Sequence, residues 1–186
     1  MTEAIRKVLI GTPAHDGRLD VWYCNSLVNT IKLSMMRGIR IDPIYVSYDS
    51  LVQRARNDLV RLALQENYDD LIFMDSDQEW EPEWIFTILN HPVDVVGGTV
   101  VKKQDNPILF NVKALPQGLH IKDGLIEVAG VGTGFLRISR KALQAVWDIS
   151  EEYKNEVRTC RMVFDVRVED GELVSEDNVF LSLIHI

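Results

Sequence analysis

The chain has 186 residues, of which 46% are hydrophobic and 26% charged, the size and mix of one ordinary globular domain and not of a disordered chain. A chain of this length buries about 70% of the surface its unfolded form exposes, so its core needs neither metals nor disulfides. Lys and Arg number 20 against 28 Asp and Glu, a net charge of −8 that gives no support to nonspecific binding of nucleic acid or of an anionic membrane surface, although it leaves room for a local basic groove.

Cys24 and Cys160, with no CxxC, make neither a zinc site nor a disulfide framework. The apolar run Val8-Leu9-Ile10 is too short for a signal-peptide core or a membrane span. A soluble cytoplasmic protein is the expectation.

Lys7 to Ile10 read as a buried strand ended by Gly11-Thr12-Pro13. Val21, Cys24, Val28, Ile31 and Met35 then step by three or four and predict the inner face of a helix, with Gly38 placed to stop it. Ile41 to Tyr48 is a second strand, and Pro43 argues for an irregular start or a sheet edge. Ser50-Leu51-Val52-Gln53 matches a capping box. The helix it opens would turn Leu51, Ala55, Leu59 and Leu62 inward. Asp70 to Asp75 is a third strand whose apolar centre suits a parallel strand covered on both faces. Glu81-Pro82-Glu83 starts another helix, with proline at its first position and acids in its first turn. Val93 to Val96 is a fourth strand.

This alternation predicts an open, mostly parallel α/β sheet with helices on both faces. The second half reads as a smaller antiparallel part. Its strands are Ile108–Val112, Leu119–Ile121 and Leu125–Ala129, with Asp123-Gly124 as a hairpin turn. Phe135–Ile138 is a further strand, Ser139 caps a short helix, and Met162–Val168 is a last strand.

Asp75-Ser76-Asp77 is the sharpest chemical feature. Ligands of open α/β sheets bind outside the carboxyl ends of the strands, and residues i and i+2 of an extended chain point the same way. Paired hard carboxylates suit Mg²⁺ or Mn²⁺, whose shells are completed by waters and substrate phosphates. No GxSxG, P-loop or GxGxxG occurs. His15, His91, His120 and His185 share no ligand spacing.

Together these segments resemble the family 2-like GT-A glycosyltransferases, in the subset found in phages, large viruses and bacteria that is distantly similar to the fungal mannan-polymerase group. Val8 to Pro13 is similar to the first strand and its nucleobase loop. Ser50 to Asn57 resembles the segment before the DxD strand, and Asp75-Ser76-Asp77 matches the DxD itself. Asp94 to Gly98 with Lys102-Lys103, then Gly130 to Phe135, and finally Ser175-Glu176-Asp177 are similar to the later motifs, in order.

The resemblance implies a GT-A fold and transfer of a sugar from a nucleotide diphosphate-sugar, with UDP the guess for the nucleotide. The acceptor would be a glycan, lipid, protein or modified base. Asp77 would hold Mn²⁺ or Mg²⁺. Asp75 would meet the ribose or a metal-bound water. Thr12 and Pro13 would line the base pocket. Arg56 and Asn57 would lie near the nucleotide or the DxD loop, Gly132 and Gly134 near the donor sugar. Asp177 would be the catalytic base, and Glu176 would orient it or meet the acceptor. Capping of a helix start is the plain alternative for both acids.

Residues 1–180 are read as one such domain, with 1–100 as its nucleotide-binding half and 101–180 as its sugar and acceptor half. Leu181 to Ile186 are read as a non-native tail after a truncated C terminus. The rival readings are a catalytically incomplete nucleotide-sugar-binding module and a DxD phosphohydrolase.

Overall fold

The structure is a computed structural model that describes residues 5–101, 109–154 and 158–184. Its first half runs β1 (Lys7–Ala14), α1 (Val21–Met36), β2 (Arg40–Ser47), α2 (Val52–Gln65), β3 (Asp70–Met74), α3 (Pro82–Asn90) and β4 (Val95–Gly97). Its second half runs β5 (Val112–Ala114), β6 (His120–Lys122), β7 (Leu125–Val131), β8 (Phe135–Ser139), α4 (Arg140–Ile149), β9 (Glu152–Lys154), β10 (Thr159–Arg161), β11 (Arg167–Glu169), β12 (Glu172–Val174) and α5 (Glu176–Ile184).

Strands buried on both faces belong in the middle of a sheet, and β3, with all 5 of its residues buried, lies there. The main sheet has the order β2-β1-β3-β8-β4. β1 pairs in parallel with β2 and β3, whereas β8 is antiparallel to both β3 and β4. The expected α/β alternation therefore holds, but the sheet is mixed. The run Phe135–Ile138 enters its middle and separates β3 from β4.

Side-chain parity divides the core into two layers. Leu9, Leu71, Phe73, Leu136 and Ile138 pack with the buried residues of α2, α4 and α5. Val8, Ile10, Ile72, Met74 and Phe135 pack with those of α1 and α3. Helices thus cover both faces, as expected. The small antiparallel part consists of the three-stranded β5-β7-β6 and the hairpins β9-β10 and β11-β12. Asp123-Gly124 turns between β6 and β7 with positive φ at both residues (52° and 76°), the type I′ backbone that hairpins favour. Gly38, at φ 66° just past α1, ends that helix as expected.

Four expectations need correction. β1 does not end at Gly11. It continues through Thr12 and Pro13 because β2 goes on pairing with it to Ala14, while its pairing with β3 ends at Gly11. Pro13 thus sits where the strand has one neighbour, a place that tolerates a missing donor. Secondly, the capping box is not used. The N-cap of α2 is Leu51, and Asp49 accepts the Leu51 N–H at 2.9 Å and the Arg54 Nε at 2.7 Å.

Thirdly, α1 buries Tyr23, Ser26, Leu27, Thr30 and Ser34 and leaves Val21, Val28 and Met35 at 69%, 49% and 77% exposure. The hydroxyls face inward because Trp80 donates to them, from its backbone N to Ser26 Oγ (3.0 Å) and from Nε1 to Thr30 Oγ1 (2.9 Å). Fourthly, Met162 to Val166 is not a strand, although Val163 and Phe164 are fully buried. The side-chain amide of Asn57 takes the place of a neighbouring strand there. It accepts from Phe164 N (2.7 Å) and donates to Phe164 O (2.9 Å).

Of the segment 181–186, Leu181 is buried and Leu183 and Ile184 pack on the α2–α4–α5 layer; His185 and Ile186 lie outside the described residues. No helix is long and apolar enough to cross a membrane among the described residues.

Candidate functional site

β3 delivers its last buried side chain, Met74, and the backbone then leaves the sheet. The Asp75 N–H donates to Gly134 O at 3.1 Å, so the DxD loop is tied to the turn before β8. Asp75 Oδ1 lies 3.3 Å from Arg56 Nη2, and Arg56 Nη1 donates to Glu176 Oε1 at 2.8 Å. The Arg56 side chain is only 5% exposed. Its place near the start of α2 carries it to the carboxyl end of β3, where α5 begins. Three segments separated by 19 and 120 residues from Arg56 to each acid are thereby joined.

The backbone must come close here. A Cβ on Gly134 would stand 2.8 Å from Asp75 Oδ2, and one on Gly130 2.7 Å from Asn178 Oδ1 in the first turn of α5. Gly132 is held differently. Its N–H donates to Asn111 O at 3.0 Å, and a Cβ would collide with the Asn111 side chain. The glycine-rich segment therefore packs on Asp75 through Gly134 and on its own sheet through Gly132.

A cleft of about 260 Å³ opens beside Asp75 and Asp77, lined also by Pro13, His15, Asp16 and Asp49. A second hollow of about 370 Å³ shares Asp16, Ser76 and Asp77 with it and adds Arg18, Leu19 and Asp20. The Asp20 N–H donates to Ser76 O at 2.9 Å, which fixes the loop before α1 against the DxD. His15 Nδ1 meets the Asp49 carbonyl at 2.9 Å, so that nitrogen is the donor. Burial pushes the Asp49 carboxyl up, but its bonds from Arg54 and from the Leu51 N–H outweigh this and hold it below the usual carboxylate range. Tyr48, at the end of β2, has φ 61°, an uncommon backbone for a bulky residue.

Among the expected site residues, Asp75, Asp77 and Pro13 share one cleft, Arg56 and Gly134 adjoin Asp75, and Glu176 pairs with Arg56. Thr12 is not at a surface. It is fully buried, with its Oγ1 2.6 Å from Tyr23 Oη, and burial keeps that phenol protonated far above its usual range. Asn57 is also fully buried and spent on Phe164. Asp177 lies in the first turn of α5, where it accepts from Ser175 Oγ and from the Asn178 N–H. Lys102 and Lys103 lie outside the described residues. His15, Asp16 and Asp49 also line the cleft, although no motif assigns them a role. The available sign was their position after the first two strands, on the same carboxyl edge as the DxD.

The donor set fits a hard divalent cation in part. Asp75 and Asp77 offer carboxylate oxygens to one cleft, but no group of 3 or more His, Cys, Asp or Glu side chains could hold a metal ion among the described residues. An ion here would take much of its shell from water and substrate oxygens, the habit of Mg²⁺ with phosphates.

No family model matches the sequence, and no curated protein matches it significantly. The fold is similar to that of A197 from STIV. The two share 20% identity with a TM-score of 0.56, over 97% of this chain and 78% of A197. At that identity the likeness shows the fold, a mixed α/β architecture.

Proposed function

We propose that this chain is a glycosyltransferase of the GT-A kind that moves a sugar from a nucleotide diphosphate-sugar to a hydroxyl acceptor with the help of Mg²⁺ or Mn²⁺. One observation carries the reading. The DxD loop, the Arg56 helix, Gly134 and the late acidic turn of α5 meet at the carboxyl end of a central strand, beside a cleft lined by Asp75 and Asp77. That is where open α/β sheets bind ligands.

Asp77 and Asp75 would hold the cation, whose charge offsets that of the diphosphate. Pro13 and the wall formed by His15, Asp16 and Asp49 bound the space for the nucleoside. Gly134 lets the chain pass close to Asp75 and leaves the carboxylate accessible from the cleft. Asp177 is the candidate base for the acceptor proton. UDP is the first nucleotide to test, on resemblance alone.

The test is a donor screen by mass spectrometry with Mn²⁺ and Mg²⁺, followed by Asp77→Ala. Loss of transfer by about 100-fold or more is expected, the scale of removing one main electrostatic contact to a developing charge. Unchanged turnover in Asp77→Ala would falsify the assignment. Nucleotide-sugar binding without product would identify a binding module instead, and phosphate release without sugar transfer a phosphohydrolase.

A further inference from the structure

The site holds a buried cation whose role the proposed reaction does not define. Arg56 is 5% exposed, yet it reaches two acids on different segments, Asp75 at 3.3 Å and Glu176 at 2.8 Å. Its Nε is a buried donor with no acceptor among the described residues. An orphaned donor of this kind is costly, so the position is not optimised for stability alone. The guanidinium carbon also stands 5.8 Å from the centre of the Phe73 ring, the last inward aromatic of β3. Arg56 is therefore enclosed by protein groups and faces two carboxylates.

Without it, Asp75 and Glu176 would lose the cation that both face where α5 docks. The helix N-terminus favours Glu176 and Asp177 in its first turn, but it does nothing to offset Asp75 on the neighbouring loop. A planar guanidinium can give one N–H to each acid at a fixed spacing, which an ammonium cannot reproduce.

We propose that Arg56 is a positioning residue, a clamp that sets Asp75 of the DxD loop and the first turn of α5 at a fixed separation and does not touch the donor. Glu176 is then the anchor of α5, and the neighbouring Asp177 takes its place from that anchor. The catalytic consequence rests on the glycosyltransferase reading; the clamp does not.

Two sets of measurements test them separately. The first is hydrogen exchange with a double-mutant cycle on Arg56→Met, Glu176→Gln and the pair. The Asp75 amide bonds to Gly134 O and the Val179 amide to Ser175 O, so they report on the loop and on the α5 turn. Exchange at both should rise about tenfold or more in Arg56→Met while the β1–β3 amides stay protected. Glu176→Gln added to Arg56→Met should recover part of the lost stability, because it removes the unpaired acid, and should give clear non-additivity. Additive effects, or unchanged exchange at Asp75 and Val179, overturn the clamp whether or not the protein transfers sugar. If Arg56→Met does not fold, the charge-balanced pair and Arg56→Lys carry the same comparison.

The second set is kinetic. Arg56→Met and the pair should lower kcat by about 100-fold with donor KM within about threefold, and Arg56→Lys should restore part of kcat. A donor KM that rises in step with the loss of kcat would mean that Arg56 binds the donor directly, and overturns the positioning role. A wild-type chain that turns over no nucleotide sugar, with the coupling intact, sinks the glycosyltransferase reading and leaves the clamp standing.

Discussion

Gly134 illustrates how much of the site depends on a missing methyl group. A Cβ there would stand 2.8 Å from Asp75 Oδ2 and 3.4 Å from its Cγ, closer than carbon and oxygen rest. Its φ is not in the left-handed range, so glycine is required for space and not for backbone freedom. Gly134→Ala is expected to push the Asp75 carboxylate aside by a few tenths of an ångström. Transfer should fall about 10- to 100-fold, since small misplacements are costly at a reacting centre, while the melting temperature changes little. Calorimetry beside a turnover assay checks both. A large loss of stability with normal transfer would contradict the spatial account.

Thr12 teaches the opposite lesson. Strand parity alone puts it on the face of Val8 and Ile10, toward α1, where Tyr23 takes its hydroxyl. Parity reaches Thr12 only because β1 continues past Gly11 along β2, which the turn-like Gly11-Thr12-Pro13 conceals.

At the scale of elements, α2 and α5 are joined twice by neighbouring residues of α2. Arg56 holds the first turn of α5 from above. Asn57 holds Phe164, whose ring stacks on Phe180 of α5 (4.6 Å, 20°) and meets the edge of Phe73 (5.2 Å, 87°). Asn57→Ala would leave the Phe164 N–H and C=O buried without partners, a loss of about 1–3 kcal/mol for each. A lower urea midpoint and greater exchange in α5 are the expected readouts, and Asn57→Asp should keep the bond from the N–H while losing the one to the carbonyl. No change in midpoint would show that water satisfies both groups.

These links explain which elements the sequence made legible. The three parallel strands, apart from the end of β1, α3 with Pro82 at its start, and the Ser139 cap are encoded locally. The faces of α1 and the segment around Phe164 depend on Trp80 and Asn57, partners 50 and 107 residues away. Local periodicity carries no record of them. At the site, the DxD is visible from its strand, but the bridge from Asp75 through Arg56 to Glu176 is not, because the resemblance puts Arg56 near the DxD loop and gives Glu176 a separate role.

Across the whole molecule, polar chemistry is placed at both ends of the sheet. Opposite the DxD end of β3, Asp70 is 1% exposed and pairs with Arg6 at 2.7 Å and with Arg137 of β8, whose Nε donates to it at 2.7 Å. Arg137 also donates to Val93 O ahead of β4. One buried carboxylate thus registers β3, β8 and the chain entering β1 and β4. Asp70→Ala removes the carboxylate paired with the buried Arg137 and is expected to cost about 3–5 kcal/mol, measured by equilibrium unfolding in urea. A cost below about 1 kcal/mol would mean that Arg137 finds solvent instead, as surface pairs do.

The entry of β8 between β3 and β4 has a consequence in time as well as in space. Arg137 and Asp70 are 67 residues apart, and among the described residues β4 pairs in the main sheet with β8 alone. During synthesis, β2, β1 and β3 emerge and pair first, and β3 keeps an open edge until residue 139 is free to move. Closing so long a loop delays the final pairing, and meanwhile an apolar edge is offered to other chains. The stretch up to residue 100 is thus an incomplete sheet waiting for its fourth strand, and a ribosome that pauses before β8 is released would prolong the exposure of that edge.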